Sequence, residues 1–267
     1  MAMTIAPYLA LAKSAAHEDS ANIGKVVGSV LLGIARIVLI ALIYRAAYQA
    51  FSHNPLPYQN AVWSIAVYFA LILGLNGRQI FRLIETAVKT GAVETELIRP
   101  VEWRAAKFCY LIGRNSLESL SLAVAFTATL LVFIGPPTVA FLSPAMIAAY
   151  VYLFVIAVVT AGAMYTTVGL SAFWLNDAKS VFRILDKTVL IFGGAFVPVA
   201  LLPAVVQEVV RYSPFGVYAA VTQLFNPAMA GRMVPTLVAS TVWTIVLLGL
   251  CQAVWLRAEK RVEVNGG

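Results

Sequence analysis

The chain has 267 residues, of which 61% are hydrophobic and only 12% charged, against roughly half and a quarter in an ordinary soluble domain. Long stretches without Asp, Glu, Lys or Arg alternate with short segments that hold nearly all of them, which excludes most soluble enzymes and makes the bilayer the solvent. A net charge of +7 does not argue for nucleic acid, because apolar spans separate the basic residues instead of one soluble face gathering them.

Residues 1–22 read as an interfacial helix on the membrane surface. The run before Ala16 resembles a signal peptide, but it lacks a basic n-region and Pro7 cuts the apolar stretch short. On such a helix Tyr8 and Leu11 are expected to face lipid and Lys13 to face phosphate. A bilayer crossing then needs about 20 mostly apolar residues. Six segments qualify: 26–47, 59–77, 116–134, 145–170, 184–202 and 234–256. The predicted fold is therefore an all-α integral membrane protein, one transmembrane domain over 1–267 with no internal repeat.

Basic residues orient the map, since cytoplasmic segments hold the excess of Lys and Arg. With the N-terminus inside, Lys13 and Lys25 precede span one, and Arg78, Arg82, Lys89, Arg99, Arg104, Lys107 and Arg114 fill the second-to-third connection. Lys179, Arg183 and Lys187 lie at the inner edge of span five, and Arg257, Lys260 and Arg261 follow span six. Only Arg211 and Arg232 fall in outer loops, while Arg36 and Arg45 belong to span one. Both termini are expected in the cytoplasm.

Two connections exceed a simple turn, the cytoplasmic 78–115 and the external 203–233. In the first, Ile80, Ile84 and Val88 recur every four positions, with Arg78, Arg82, Glu85 and Lys89 on the other face, which is an amphipathic helix. Glu85 precedes Lys89 by four residues, the favourable order for an ion pair. Gly91 can end that helix, and a short segment through Glu94, Glu96 and Leu97 runs to Pro100. A bent element of this kind can transmit force between a soluble partner and the membrane helices. In the second connection Pro198, Pro203, Pro214 and Pro227, with Pro235 just beyond, divide the chain into pieces too short to span.

The run TAVKTGAVETELIRPVEWRAAKF resembles the loop after the second span of type-2 ATP-binding-cassette (ABC) exporter permeases, where a Gly, a following Glu, a Leu and then Pro-Val recur; here these are Gly91, Glu94, Leu97, Pro100 and Val101. The element order is similar over essentially the whole chain: surface helix, two spans, coupling loop, three spans, short outer re-entrant helices, last span. The bacterial branch with a separately encoded ATPase is the nearest likeness. The resemblance implies a permease subunit in the bacterial inner membrane that is not itself catalytic. It also implies a second permease chain, identical or related, and a separate ATPase carrying ATP and Mg. Gly91, Glu94, Leu97, Arg99 and Pro100 are the expected coupling residues. The sequence has no G-x-x-x-x-G-K-[ST] phosphate loop.

Other residues carry two readings each. Arg36 lies near the midplane of span one, where an Arg is costly; it either lines a pathway or contacts carbonyls, water or a neighbouring subunit. Glu118, the nearest charged span residue, sits close to the cytoplasmic surface, so pairing with Arg36 requires a large vertical reach. Arg45, nine residues on, points the opposite way and suits snorkelling. Gly24 and Gly28 form a G-x-x-x-G pair that serves helix contact or none. Glu94 and Glu96 either meet a basic groove on the ATPase or form a solvated turn. Lys179, Arg183 and Lys187 form a solvated stripe, Glu208 and Arg211 an outer ion pair, and Trp63, Trp103 and Trp255 anchors at the interface. His17 and His53, the two histidines, fall on opposite sides, and Cys109 and Cys251 have no other Cys or His at ligand spacing, so no metal or catalytic constellation is expected. A secondary transporter or channel, and a membrane enzyme or assembly factor, stand as alternatives.

Overall fold

The computed structural model describes residues 6–20, 23–50, 56–98, 101–138, 143–194, 199 and 202–265. Among them every regular element is helical, since a chain in hydrocarbon must satisfy its own backbone. In order, α1 is Ala6–Ser20, α2 is Ile23–Ala50 and α3 is Tyr58–Leu75. α4 (Gly77–Lys89), α5 (Ala92–Leu97) and α6 (Trp103–Phe133) follow, then α7 (Pro144–Leu170) with a 3-10 turn at Ser171–Phe173. α8 is Ala178–Phe192, α9 Ala204–Arg211, α10 Gly216–Val221, and a 3-10 turn at Pro227–Arg232 runs into α11, Met233–Asn265.

Among the described residues five helical stretches are long and apolar enough to cross a membrane: Ile23–Ala50, Tyr58–Lys89, Trp103–Phe133, Pro144–Phe173 and Pro227–Val262. The chain is a multi-pass membrane protein. Span five, expected at 184–202, differs: α8 has 15 residues, about 22 Å of helix, and is capped at Gly193. Pro198 and His53 lie outside the described residues. Beyond Pro100 the expected helix leading into span three starts at Trp103 and runs on to Phe133. The Glu102 carboxylate accepts the Ala105 N–H at 2.6 Å and fixes that start.

Close approaches explain the packing. α3 breaks at Asn76, whose φ of 43° is a left-handed conformation that Asn tolerates. A Cβ on the next residue, Gly77, would lie 2.1 Å from the Tyr165 ring, so α4 can turn onto α7 only with glycine there. α7 presents Ala157, Ala161, Gly162, Ala163 and Gly169 as a buried small-residue surface, which lets backbones approach. Ile84 of α4 packs on Gly169 and Phe108 of α6 on Gly162. Thr160 and Thr244 hydroxyls meet at 2.8 Å between α7 and α11. α1 lies on α6, with the Ala12 carbonyl against Gly113. Tyr8 and Leu11 are half-buried against protein, contrary to the expected lipid-facing placement, while Lys13 is exposed; the Tyr8 hydroxyl accepts the Glu102 N–H at 3.0 Å.

The C-terminal end of α8 stops beside the middles of other helices. Tyr68, within α3, donates its hydroxyl to the Val189 carbonyl at 3.4 Å, and Tyr44 of α2 donates to the Gly194 carbonyl at 3.4 Å. All six residues of α10 are buried. Tyr218 donates to the Ala157 carbonyl, halfway along α7, and Tyr150 to the Gln223 carbonyl. A buried tyrosine hydroxyl needs an acceptor: Tyr44 finds one in the Gly194 carbonyl, while Tyr68 and Tyr150 add a second donor to the Val189 and Gln223 carbonyls, which already accept the Gly193 and Asn226 N–H groups. At the far end of α3, Asn60 donates to the Phe225 carbonyl at 2.8 Å, Ser64 accepts the Phe225 N–H at 3.0 Å, and Trp63 donates to the Gly135 carbonyl at 2.8 Å. Trp63 is therefore a buried tie and not an interfacial anchor.

Candidate functional site

Two features collect the polar residues of the chain. The first is the bent element from α4 to the start of α6. Ile80, Phe81, Ile84 and Ala87 of α4 are buried, while Arg78, Arg82 and Lys89 are exposed, as the periodicity predicts. Glu85 is the exception. It belongs to the buried face rather than the solvated one, and Lys89 reaches over to it at 2.7 Å. The Gly169 surface of α7 admits α4 so closely that the flank carrying Glu85 is covered as well.

Gly91 turns the chain between α4 and α5 with φ of +71° and is exposed, a conformation that disfavours any side chain. Val93 is buried and holds α5 down, Leu97 is half-buried, and Glu94, Thr95 and Ile98 are exposed. Ile98, at 82% exposure, is a bare aliphatic side chain beside an acid. Glu94 has no ion-pair partner among the described residues, and Arg99 and Pro100 lie outside them. Glu96 does not share the free position of Glu94: its carboxylate accepts from Lys107 Nζ and from Trp103 Nε1, each at 2.5 Å. Trp103 stacks on Trp255 of α11 with centroids 5.4 Å apart, and the Arg104 guanidinium lies 5.3 Å from the Trp255 ring centroid while donating to Gln252 at 2.6 Å. Both tryptophans are buried, so they clamp α6 to α11 in place of the expected interfacial anchoring. One face of α5 is thus fixed to two spanning helices and the opposite one presents an acid and an apolar residue to solvent.

The second feature is a cleft of about 710 Å³ walled by α2, α3, α6, α7 and α8. Arg36 lines it, its guanidinium carbon 6.0 Å from the Phe69 ring centroid, within reach of the ring's negative face. Arg78 lines the same cleft. Neither arginine has a carboxylate partner among the described residues. Glu118, also on the wall, pairs with Lys25 at 3.3 Å and not with Arg36. Asp186 has Lys187 at 3.6 Å. Asn115, one turn before Glu118 on α6, is 2% exposed and its amide has no hydrogen-bond partner among the described residues.

Elsewhere, Glu208 and Arg211 pair at 2.6 Å as expected, with Arg232 adding a contact at 3.8 Å. Lys179, Arg183 and Lys187 form the expected exposed stripe, and Arg45 is exposed. At Gly24 and Gly28 an added Cβ would meet nothing within 4 Å, so no helix among the described residues uses that notch. Asp177 caps α8 by accepting the Lys179 N–H and the Ser180 hydroxyl. The Ser180 hydrogen bond is the main cause holding its carboxyl below the usual aspartate range.

No family model matches the chain. No curated protein matches it either. Sequence reasoning missed the tyrosines Tyr44, Tyr68, Tyr150 and Tyr218 and the convergence of Arg78, Asp186 and Lys187 on the cleft of Arg36. A signal for the tyrosines was present, since a phenol inside an apolar span must find an acceptor.

Proposed function

We propose that this chain is the permease subunit of a type-2 ABC exporter, and that α4 and α5 form the lever on which a separate ATPase acts. The observation that carries the reading is the asymmetry of α5: exposed Glu94 and Ile98 on one face, a solvent-facing tip, and a Glu96–Lys107–Trp103 tie to the spanning helices on the opposite face. A soluble subunit gripping that tip moves α6 and α11 directly. ATP and Mg belong to the partner, and a second permease chain, identical or related, completes the pathway.

In this reading both termini are cytoplasmic, in a bacterial inner membrane. α8 and the residues after it then supply a sixth, interrupted passage, and α9 and α10 are re-entrant outer helices, with the depth of Tyr218 beside Ala157 in support. Gentle affinity purification from native membranes tests the reading. The expected result is co-recovery of a P-loop ATPase and a second permease, with Glu94→Lys losing the ATPase while the chain still inserts. Recovery of a transport-competent chain with no nucleotide hydrolase overturns it.

A secondary transporter is the second reading, favoured by the charged cleft around Arg36. Uptake into ATP-free liposomes driven by an ion gradient supports that alternative over the first.

A further inference from the structure

We infer that the cleft between α2 and α8 binds an amphiphile with an anionic headgroup, which enters at Arg78 and seats on Arg36. The inference rests on the exporter reading for its direction of movement, and it names the class of cargo.

Arg36 stands 13 residues after the first residue of a 28-residue helix, about 20 Å from either end, so its charge lies near mid-bilayer. Intramembrane charges are rare, costly and matched by partners. Here the guanidinium faces the Phe69 ring. The acids facing the same cleft lie against lysines, Glu118 at 3.3 Å from Lys25 and Asp186 at 3.6 Å from Lys187. That leaves two arginine charges in one cleft with no carboxylate among the described residues to answer them. Arg78, exposed at the start of α4, marks the shallow end, and Arg36 the deep end.

The walls between them decide what kind of anion fits. Leu32, Leu39, Ile40, Ile43 and Leu190 line the cleft, and burying such a surface against water favours nothing; against an acyl chain it is favourable. A volume of about 710 Å³ accommodates a headgroup and the first part of a chain. The rest of the tail can lie along the apolar outer side of α2, where Leu31, Val38 and Leu42 are exposed. Arginine is also the side chain suited to fork onto a phosphate or carboxylate.

The test uses purified chain in nanodiscs, without any ATPase, and phosphatidylglycerol carrying a photoactivatable group in its acyl chain. Labelling is expected in α2 and α8, displaced by unlabelled phosphatidylglycerol and not by phosphatidylcholine. Arg36→Gln should lower it about tenfold, the loss expected for one charge-assisted hydrogen bond. Arg36→Lys should retain most of it, Arg78→Gln should lower it, and Arg45→Gln should leave it unchanged. Thermal unfolding of each variant separates lost binding from lost fold. Equal labelling by phosphatidylcholine, or none of the loss in folded Arg36→Gln, overturns the inference. Displacement by inorganic phosphate as effective as by lipid also overturns it, because the site then takes a free anion. Capture of an ATPase tests the exporter reading separately, so either can fail alone.

Discussion

Glu96 and Lys107 are the residues to exchange first, singly and together, as Glu96→Gln and Lys107→Met. Their side chains are 23% and 19% exposed and their charged atoms 2.5 Å apart. A hydrogen bond to a charged group contributes about 1.5–3 kcal/mol. Residual solvent access screens part of it, so the coupling between the two positions should be about 1–2 kcal/mol. Glu96→Gln alone should cost more than the coupling, since the carboxylate also receives the Trp103 indole. The assay is reversible unfolding in mixed micelles, with the pair term extracted from the double-mutant cycle. A coupling below about 0.3 kcal/mol, the range in which independent sites simply add, would refute the idea that this contact holds α5 to α6. The functional corollary is that Glu96→Gln, if it loosens the lever, lowers ATP turnover coupled to transport in the complex while leaving ATPase docking intact.

Three further outcomes follow from the packing. Gly77→Ala places a Cβ 2.1 Å from the Tyr165 ring, and overpacking of that kind costs about 1–3 kcal/mol; thermal unfolding should fall, and Tyr165→Leu in the same chain should recover part of the loss. Asn115→Leu removes a buried amide that lacks a partner among the described residues, and its unfolding midpoint should rise, since an unsatisfied buried polar group costs about 1–3 kcal/mol. Asp177 has a lowered carboxyl pKa in the folded chain, so its capping contribution is full above the unfolded value and is lost as pH falls through the lowered one. The protection factor of the Lys179 amide, its exchange relative to the intrinsic rate at each pH, should therefore fall on acidification in the native chain, and Asp177→Asn should remove that pH dependence.

The spanning helices were legible because a long apolar run has few other fates, and α7 begins within a residue of the predicted 145 at Ser143-Pro144, where the serine accepts the Met146 N–H. The end of α8 was not legible. Apolar residues continue past Gly193 toward 202, and composition cannot register a helix that stops among tyrosines contributed by α2, α3 and α10. The Glu85–Lys89 pair was legible from spacing, but the side of α4 it occupies depends on how closely Gly169 lets α7 approach. Trp103 and Trp255 misled for a related reason: interfacial belts are a rule about rings beside lipid, and these two rings are beside each other. Of the site, the depth of Arg36 followed from counting residues. Its lack of a carboxylate did not, because that depends on Lys25 lying against Glu118 and Lys187 against Asp186.

The tyrosine-capped terminus of α8 bears on biogenesis. Released sideways from a translocon into lipid alone, that terminus would leave the Gly194 carbonyl without the donor that Tyr44 supplies, and the Val189 carbonyl, which already accepts the Gly193 N–H, without its second donor Tyr68. Ribosomes deliver α2 and α3 long before α8, so the first half of the polypeptide acts as a receiving dock for the second. Insertion of this protein is accordingly ordered in time, with the early helices templating a late segment that could not have settled by itself.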